Sequence, residues 1–261
     1  MFIDTHCHLD ATEFKGLQEA IVRGAQAAGV AALVLPSIGR DNFEDVQTLS
    51  IRYPNCAPAY GIHPLYTNHA KPADLELLRC YLAKQSAIAV GEIGLDFFVA
   101  EYDQKSQEYY FLEQLKLARE FDLPVLLHSR RAQDLVLKQL RMCRVRGGIA
   151  HAFNGSAQQA AEFIKLGFKL GFGGAMTHSR ATRLRQLAAS IPLHNIVLET
   201  DAPDIPPNFV LPGSPNKPEF LPRIAQTLAD LRGVTLAEIE RITTENVLSA
   251  IPKLLPFLIS H

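Results

Sequence analysis

Phe2-Ile3-Asp4-Thr5-His6-Cys7-His8 runs from an apolar, β-branched start straight into a His-x-His pair. Such a run is a short buried strand, and because strand side chains alternate faces, its two imidazoles point to the same side at the strand end. Paired imidazoles suit a borderline divalent metal such as zinc, manganese or iron. Cys7 turns away by the same alternation, which predicts that it packs outward instead of ligating. A lone His-x-His also arises by chance, so its weight depends on what the rest of the chain sets beside it.

Beyond that strand, short apolar runs alternate with longer amphipathic ones to the end of the chain. The pattern predicts strands over residues 2–5, 32–36, 57–62, 87–93, 125–127, 148–150, 168–172 and 196–199. Helices are predicted between them over 17–28, 43–52, 74–84, 103–120, 132–142, 157–166 and 180–189, with 219–232 and 236–250 as closing helices. A strand-plus-helix unit repeating roughly every 30 residues, in a chain close to the ~250 residues usual for the fold, predicts an α/β (β/α)₈ TIM barrel with extra C-terminal helices. The Pro-rich stretch over 202–218 is long for a compact domain and is expected to be a functional loop. No linker or charge block marks a second domain, so residues 1–261 are expected to form one, with the apolar tail over 251–261 docked onto it.

Hydrophobic residues make up 48% of the chain, enough for a sizeable core, and the net charge of −1 excludes a global basic field while leaving room for a local one. Cys7, Cys56, Cys80 and Cys143 contain no Cys-x-x-Cys spacing and make no disulfide framework, which points to a reducing, cytoplasmic compartment. There is no signal-peptide pattern at the start, and no window reaches the roughly 18 apolar residues of a membrane span. A soluble monomer without membrane association is the expectation.

In a parallel barrel the loops after the strands share one face, so the strand ends should carry the chemistry. They supply His6 and His8, His63, Glu92 and Asp96, His128 and Arg130, His151, and Glu199 and Asp201. Alone, His128 or His151 would be read as a hydrogen-bonded core histidine. A carboxylate such as Glu92, buried between glycines, needs a partner or a metal. Together, His6, His8, Glu92, His128, His151 and Asp201 are too many for one closed tetrahedral zinc and suit two metals about 3.5–4 Å apart. The expected arrangement has His6, His8 and Asp201 on one ion, His128 and His151 on the other, and Glu92 bridging. Glu199 and Asp201 are expected to share a strand face. His69, His178, His194 and His261, away from strand ends, are expected to be solvated.

The motifs Asp4-Thr-His-x-His-Leu-Asp10, Gly61-x-His-Pro64, Gly91-Glu-Ile-Gly-Leu-Asp96, Leu123-Pro-x-x-x-His-Ser-Arg130, His151-x-Phe-x-Gly155 and Leu198-Glu-Thr-Asp-Ala-Pro203 together resemble the TatD family, within the amidohydrolase-like barrels. The resemblance spans residues 4 to 246, and the Glu-Thr-Asp-Ala-Pro-Asp204 and Pro215-Asn-Lys-Pro-Glu219 stretches look most like its YjjV-like subgroup. It implies a phosphoesterase barrel, in tested members a magnesium- or manganese-dependent deoxyribonuclease that often trims strands from the 3′ end. It implies the same six ligands, an active-site role for His63 beside the metals, and a place there for Arg130. Ala152 stands where many members carry cysteine, the segment over 10–16 is shorter than in many, and Glu92 replaces the carboxylated lysine of other amidohydrolases.

The expected chemistry is therefore hydrolysis of DNA or another phosphoester, using two divalent ions (zinc, manganese or magnesium). Asp201 would orient the attacking water, His63 would donate to a phosphate oxygen or the leaving group, and Arg130 would clamp a phosphate. A structural salt bridge is the competing role for Arg130, and Arg131, Arg141, Arg144 and Arg146 read as a solvated helix face. Two rivals are a metal-dependent hydrolase of a small ester, lactone or amide, and a barrel kept only for binding. The second predicts a broken ligand set, whereas all six positions are filled.

Overall fold

The computed structural model describes residues 1–258. Strands β1 (Phe2–Asp4), β2 (Val30–Pro36), β3 (Cys56–Tyr60), β4 (Ala89–Asp96), β5 (Val125–Arg130), β6 (Gly148–Ala150), β7 (Phe168–Phe172) and β8 (Ile196–Leu198) pair in parallel, each with the next in sequence. The ring is drawn together between β8 and β1 by Thr5 N donating to Leu198 O at 3.2 Å, Asp201 N donating to His6 O at 2.9 Å, and a parallel bridge between Cys7 and Ala202. This is the TIM barrel expected from the alternating pattern.

Helices α1 (Gln18–Ala27), α2 (Phe43–Arg52), α3 (Pro72–Leu82), α4 (Gln104–Glu120), α5 (Gln133–Met142), α6 (Ala157–Lys165) and α7 (Thr182–Ser190) fill the crossovers, and α8 (Leu221–Arg232) and α9 (Leu236–Ala250) follow the last strand. Their starts are written in local chemistry. Asp103 accepts from Ser106 N ahead of α4, Ser156 and Gln159 cap α6 reciprocally, and Thr235 accepts from Glu238 N ahead of α9. Among the described residues, no helix is long and apolar enough to cross a membrane.

Strand alternation divides the core into two layers. Leu33, Leu35, Val125, Leu127, Ile196 and Leu198 face outward and pack in a layer with Phe163 of α6 and Leu228 of α8. Ala32, Val34, Leu126, Ile149 and Val197 fill the lumen. The floor is sealed by Val247 of α9 and by Ile251 and Leu254 of the tail, so the tail docks as expected as far as residue 258. His261 lies outside the described residues. Cys7 is fully buried in the outer layer, facing away from its histidine neighbours as alternation requires.

Two strand ends depart from the pattern. β4 runs on to Asp96 through Gly94, at φ 150°, where a Cβ atom would lie 1.9 Å from His128 O. Only glycine lets the two backbones approach so closely, and the pairing carries Asp96 into register with Arg130. β8 stops at Leu198, shorter than predicted, because the backbone of residues 200–205 is claimed by side chains described below.

Candidate metal centre

The faces that fill the lumen lower down deliver the chemistry at its mouth. Leu126 is followed two residues later by His128, Ile149 by His151 and Val197 by Glu199, each on the inward side. His6 and His8 project from the continuation of β1, held by His8 N donating to Ala202 O at 2.8 Å and Cys7 N to Val34 O at 3.0 Å.

Glu92, 2% exposed, is the centre of the cluster. Its Oε2 lies 3.1 Å from His6 Nε2 and 3.7 Å from His8 Nε2. Its Oε1 lies 2.8 Å from His128 Nδ1, 3.1 Å from His151 Nε2 and 3.6 Å from His63 Nε2. Asp201 Oδ1 stands 3.7 Å from His6 Nε2 and 3.8 Å from His8 Nε2. The structure thus brings together all six expected ligands and His63. Three overlapping groups have donor atoms within 4.8 Å of one another: His6, His8 and Asp201; His6, Glu92 and His151; His63, Glu92 and His128.

Asp201 reaches this position otherwise than by alternation. It lies past the end of β8 at φ 59°, a left-handed conformation that a non-glycine residue adopts only when its surroundings hold it. Asp4 accepts from Thr200 N at 2.9 Å and from Thr200 Oγ1, and Asp204 N donates to Asp201 O at 2.7 Å. Asn216, fully buried at the far end of the Pro-rich loop, donates through Nδ2 to Thr200 O, Asp204 O and Ile205 O at 2.7, 3.1 and 3.2 Å. That loop therefore serves as the cradle of Asp201. Glu199 does not sit beside Asp201 as a second ligand: its Oε1 accepts from Ala152 N and lies 3.5 Å from His151 Nδ1.

The electrostatics fit a cation. Burial alone would raise Glu92, yet the surrounding histidines hold it well below the usual carboxylate range. Burial likewise opposes charge on His128 and His151, but hydrogen bonds that His128 donates to Asp96 and Glu92 raise the first, and the charges of Glu92, Asp201 and Glu199 raise the second well above its ordinary value. Carboxylates here pull protons onto buried imidazoles. A divalent cation supplies that charge instead and leaves ring nitrogens free to ligate. His6 and His151 stack with centroids 3.8 Å apart; the buried Nδ1 of His6 has no hydrogen-bond partner, while that of His151 faces Glu199 at ion-pair distance.

His63 caps the turn after β3, its Nδ1 accepting from Leu65 N at 3.2 Å. Its proton therefore sits on Nε2, aimed at the cluster. Burial pushes its pKa down to about 3, keeping the ring a neutral donor. Arg130 is exposed, with its guanidinium 3.6 Å above the Phe98 ring and no carboxylate partner among the described residues, so the salt-bridge role is not what the structure displays. Arg141 and Arg146 do pair on the surface, with Glu162 and Asp122. His69 and His194 are exposed as expected, while half-buried His178 donates to Pro206 O at 3.1 Å.

Sequence reasoning gave no role to Asp96, whose Oδ2 lies 2.9 Å from His128 Nε2, nor to Asp4 or Asn216. The signal for Asp96 was its even spacing from Glu92 on one strand; nothing in the sequence ties Asn216 to Thr200. The centre opens into a cleft of about 1260 Å³ lined by loops after the strands.

A sequence model of the family described as "TatD related DNase" matches residues 3–252. The chain is 41% identical over 248 residues to the uncharacterized metal-dependent hydrolase YjjV of Escherichia coli K12, covering 94% of this chain and 95% of that protein. It is 32% identical over 250 residues to the 3′-5′ ssDNA/RNA exonuclease TatD of Klebsiella pneumoniae, covering 94% and 95%. The crystal structure of YjjV from Escherichia coli superposes with a TM-score of 0.93 at 40% identity, covering 96% of this chain and 98% of that one.

Proposed function

The chain belongs to the TatD family of metal-dependent hydrolases, and on that premise we propose that it cleaves phosphodiester bonds of DNA, working inward from the 3′ end. The observation that carries the ligand assignment is the division of imidazoles between the two oxygens of Glu92: His6 and His8 on one, His128 and His151 on the other. In this reading His6, His8 and Asp201 on one side of Glu92, and His128 and His151 on the other, would together with Glu92 hold two divalent ions, zinc, manganese or magnesium. Bound there, such ions make water acidic enough to attack near neutral pH and offset the charge that builds on the phosphoryl oxygens.

The remaining roles fall to the chain's own groups. Asp201, largely buried at the cleft floor and fixed by its loop, accepts a hydrogen bond from the attacking water and orients it in line. His63 offers its Nε2–H as a hydrogen-bond donor to a phosphate oxygen or to the leaving group. Arg130 grips a phosphate with its in-plane N–H groups. A cleft of about 1260 Å³ exceeds the ~300–1,000 Å³ of most small-molecule pockets, which favours an extended strand over a small ester or lactone. Residues 1–261 act as one unit, and the four free cysteines fit a cytoplasmic location.

The test is metal-stripped protein reconstituted with Mg²⁺, Mn²⁺ or Zn²⁺ and offered 5′-labelled single-stranded DNA, the matching duplex, and a panel of esters and lactones. A ladder shortened from the 3′ end, present only with metal and lost in Asp201→Asn that still binds metal, is the expected result. Metal-independent cleavage, or ester turnover outrunning DNA, ends the reading.

A further inference from the structure

Beyond the metal centre, the cleft mouth carries an exposed aromatic ring with two arginines folded onto it. Phe98, two residues past β4, is 45% exposed. Arg130 and Arg131, at the end of β5, hold their guanidinium carbons 3.6 and 4.6 Å from its ring centroid. An arginine over a ring keeps its in-plane N–H groups free, and neither guanidinium meets a carboxylate among the described residues. Arg131 is held at φ 55°, an unusual conformation for a long side chain, and it lines the same cleft.

The cluster is tied to the centre by one carboxylate. Asp96 Oδ1 accepts from Phe98 N at 2.8 Å, while its Oδ2 lies 2.9 Å from His128 Nε2. The opposite rim bears the opposite charge. Asp10 and Glu13 follow β1 and Asp204 follows β8, and strand order sets the β8–β1 junction across the barrel from the β4–β5 pair. A polyanion is therefore repelled on the β1 and β8 side and drawn over Phe98.

From this we infer that Phe98, Arg130 and Arg131 form a subsite for the nucleotide next to the scissile bond: its base stacks on the ring and guanidinium surface, and its phosphate pairs with the arginines. The inference rests on the nuclease reading above. Stacking of this kind tolerates any base but needs an unpaired one, so the subsite selects single strands.

The test compares holoenzyme kcat/KM on an oligothymidylate with that on methyl p-nitrophenyl phosphate, which has the bond but no neighbouring nucleotide. In Phe98→Ala the ratio of the two falls roughly tenfold or more, mainly through KM for the oligonucleotide, and Phe98→Trp restores it. In Arg131→Ala the slope of log affinity against log salt flattens by about 0.7. Equal losses on both substrates, or a ratio unchanged in Phe98→Ala, overturn the subsite while leaving the nuclease reading intact. Wild-type enzyme that turns over the small diester but no oligonucleotide overturns both.

Discussion

The behaviour of Glu92 follows from its burial among histidines on both of its oxygens. Glu92→Ala leaves those rings facing one another with no anion between them, and the expected result is protein that retains its fold by circular dichroism but binds no stoichiometric metal and hydrolyses nothing above background. Glu199 acts one step further out, against His151 Nδ1 and Ala152 N, and it also fills the space over Gly171, where a Cβ atom would lie 2.2 Å from Glu199 Oε2. Glu199→Gln preserves shape but weakens the hold on the ring, so calorimetry should find metal affinity reduced on the order of 10- to 100-fold. Unchanged affinity would show that Ala152 N, and not His151, is the partner that matters. The candidate donors were legible in the sequence because each stands at or just past the end of an apolar run; strand alternation aims His128 and His151, whereas Asp201 is aimed by the loop that holds its backbone. Their supports were not legible: Asp4 and Thr200 are partners across 196 residues, and only the ring of strands puts them together.

Among the elements, the Pro-rich loop was expected to be functional, and its anchor explains how. Asn216 spends one amide group on three carbonyls of the segment that carries Asp201. Asn216→Ala leaves those carbonyls short of a donor in a buried setting, so urea unfolding should record a loss of about 1–3 kcal/mol. Hydrolysis should fall further than stability does, because Asp201 loses its fixed left-handed backbone. Strand positions were readable from apolar runs, whereas the extension of β4 was hidden: Gly94 looks like a terminator, yet it is the residue that lets β4 lie against β5 as far as Asp96. β8 errs the other way: the apolar run Ile196–Leu198 reads on to Glu199, whereas the strand stops at Leu198 and the backbone beyond it is taken up by Asp4 and Asn216.

At the scale of the whole molecule, the putting-together of His6, Glu92, His128, His151 and Asp201 exists only in the folded barrel, so a cation held by them would bind the native state and hardly the unfolded one. Chelation should therefore lower the thermal midpoint, and metal held at about 100 times its dissociation constant should return roughly 2.7 kcal/mol. A midpoint indifferent to chelator would mean that these side chains hold no ion. Thiol reactivity tests the packing independently. Cys80 is exposed, while Cys7, Cys56 and Cys143 are buried, and burial pushes the Cys56 thiol up to about 12. At pH 8 one thiol per chain should react rapidly with a disulfide reagent, and the other three only in denaturant. The meeting of β1 with β8 also sets a timetable. His6 and His8 are synthesised nearly two hundred residues before Asp201, and the contacts that join them are among the most distant in the chain, the slowest kind to form. On the proposed ligand set, a half-made or half-folded chain would lack its hydrolytic centre altogether, and activity would switch on with the closing of the ring, which makes turnover itself a clock for the final step of folding.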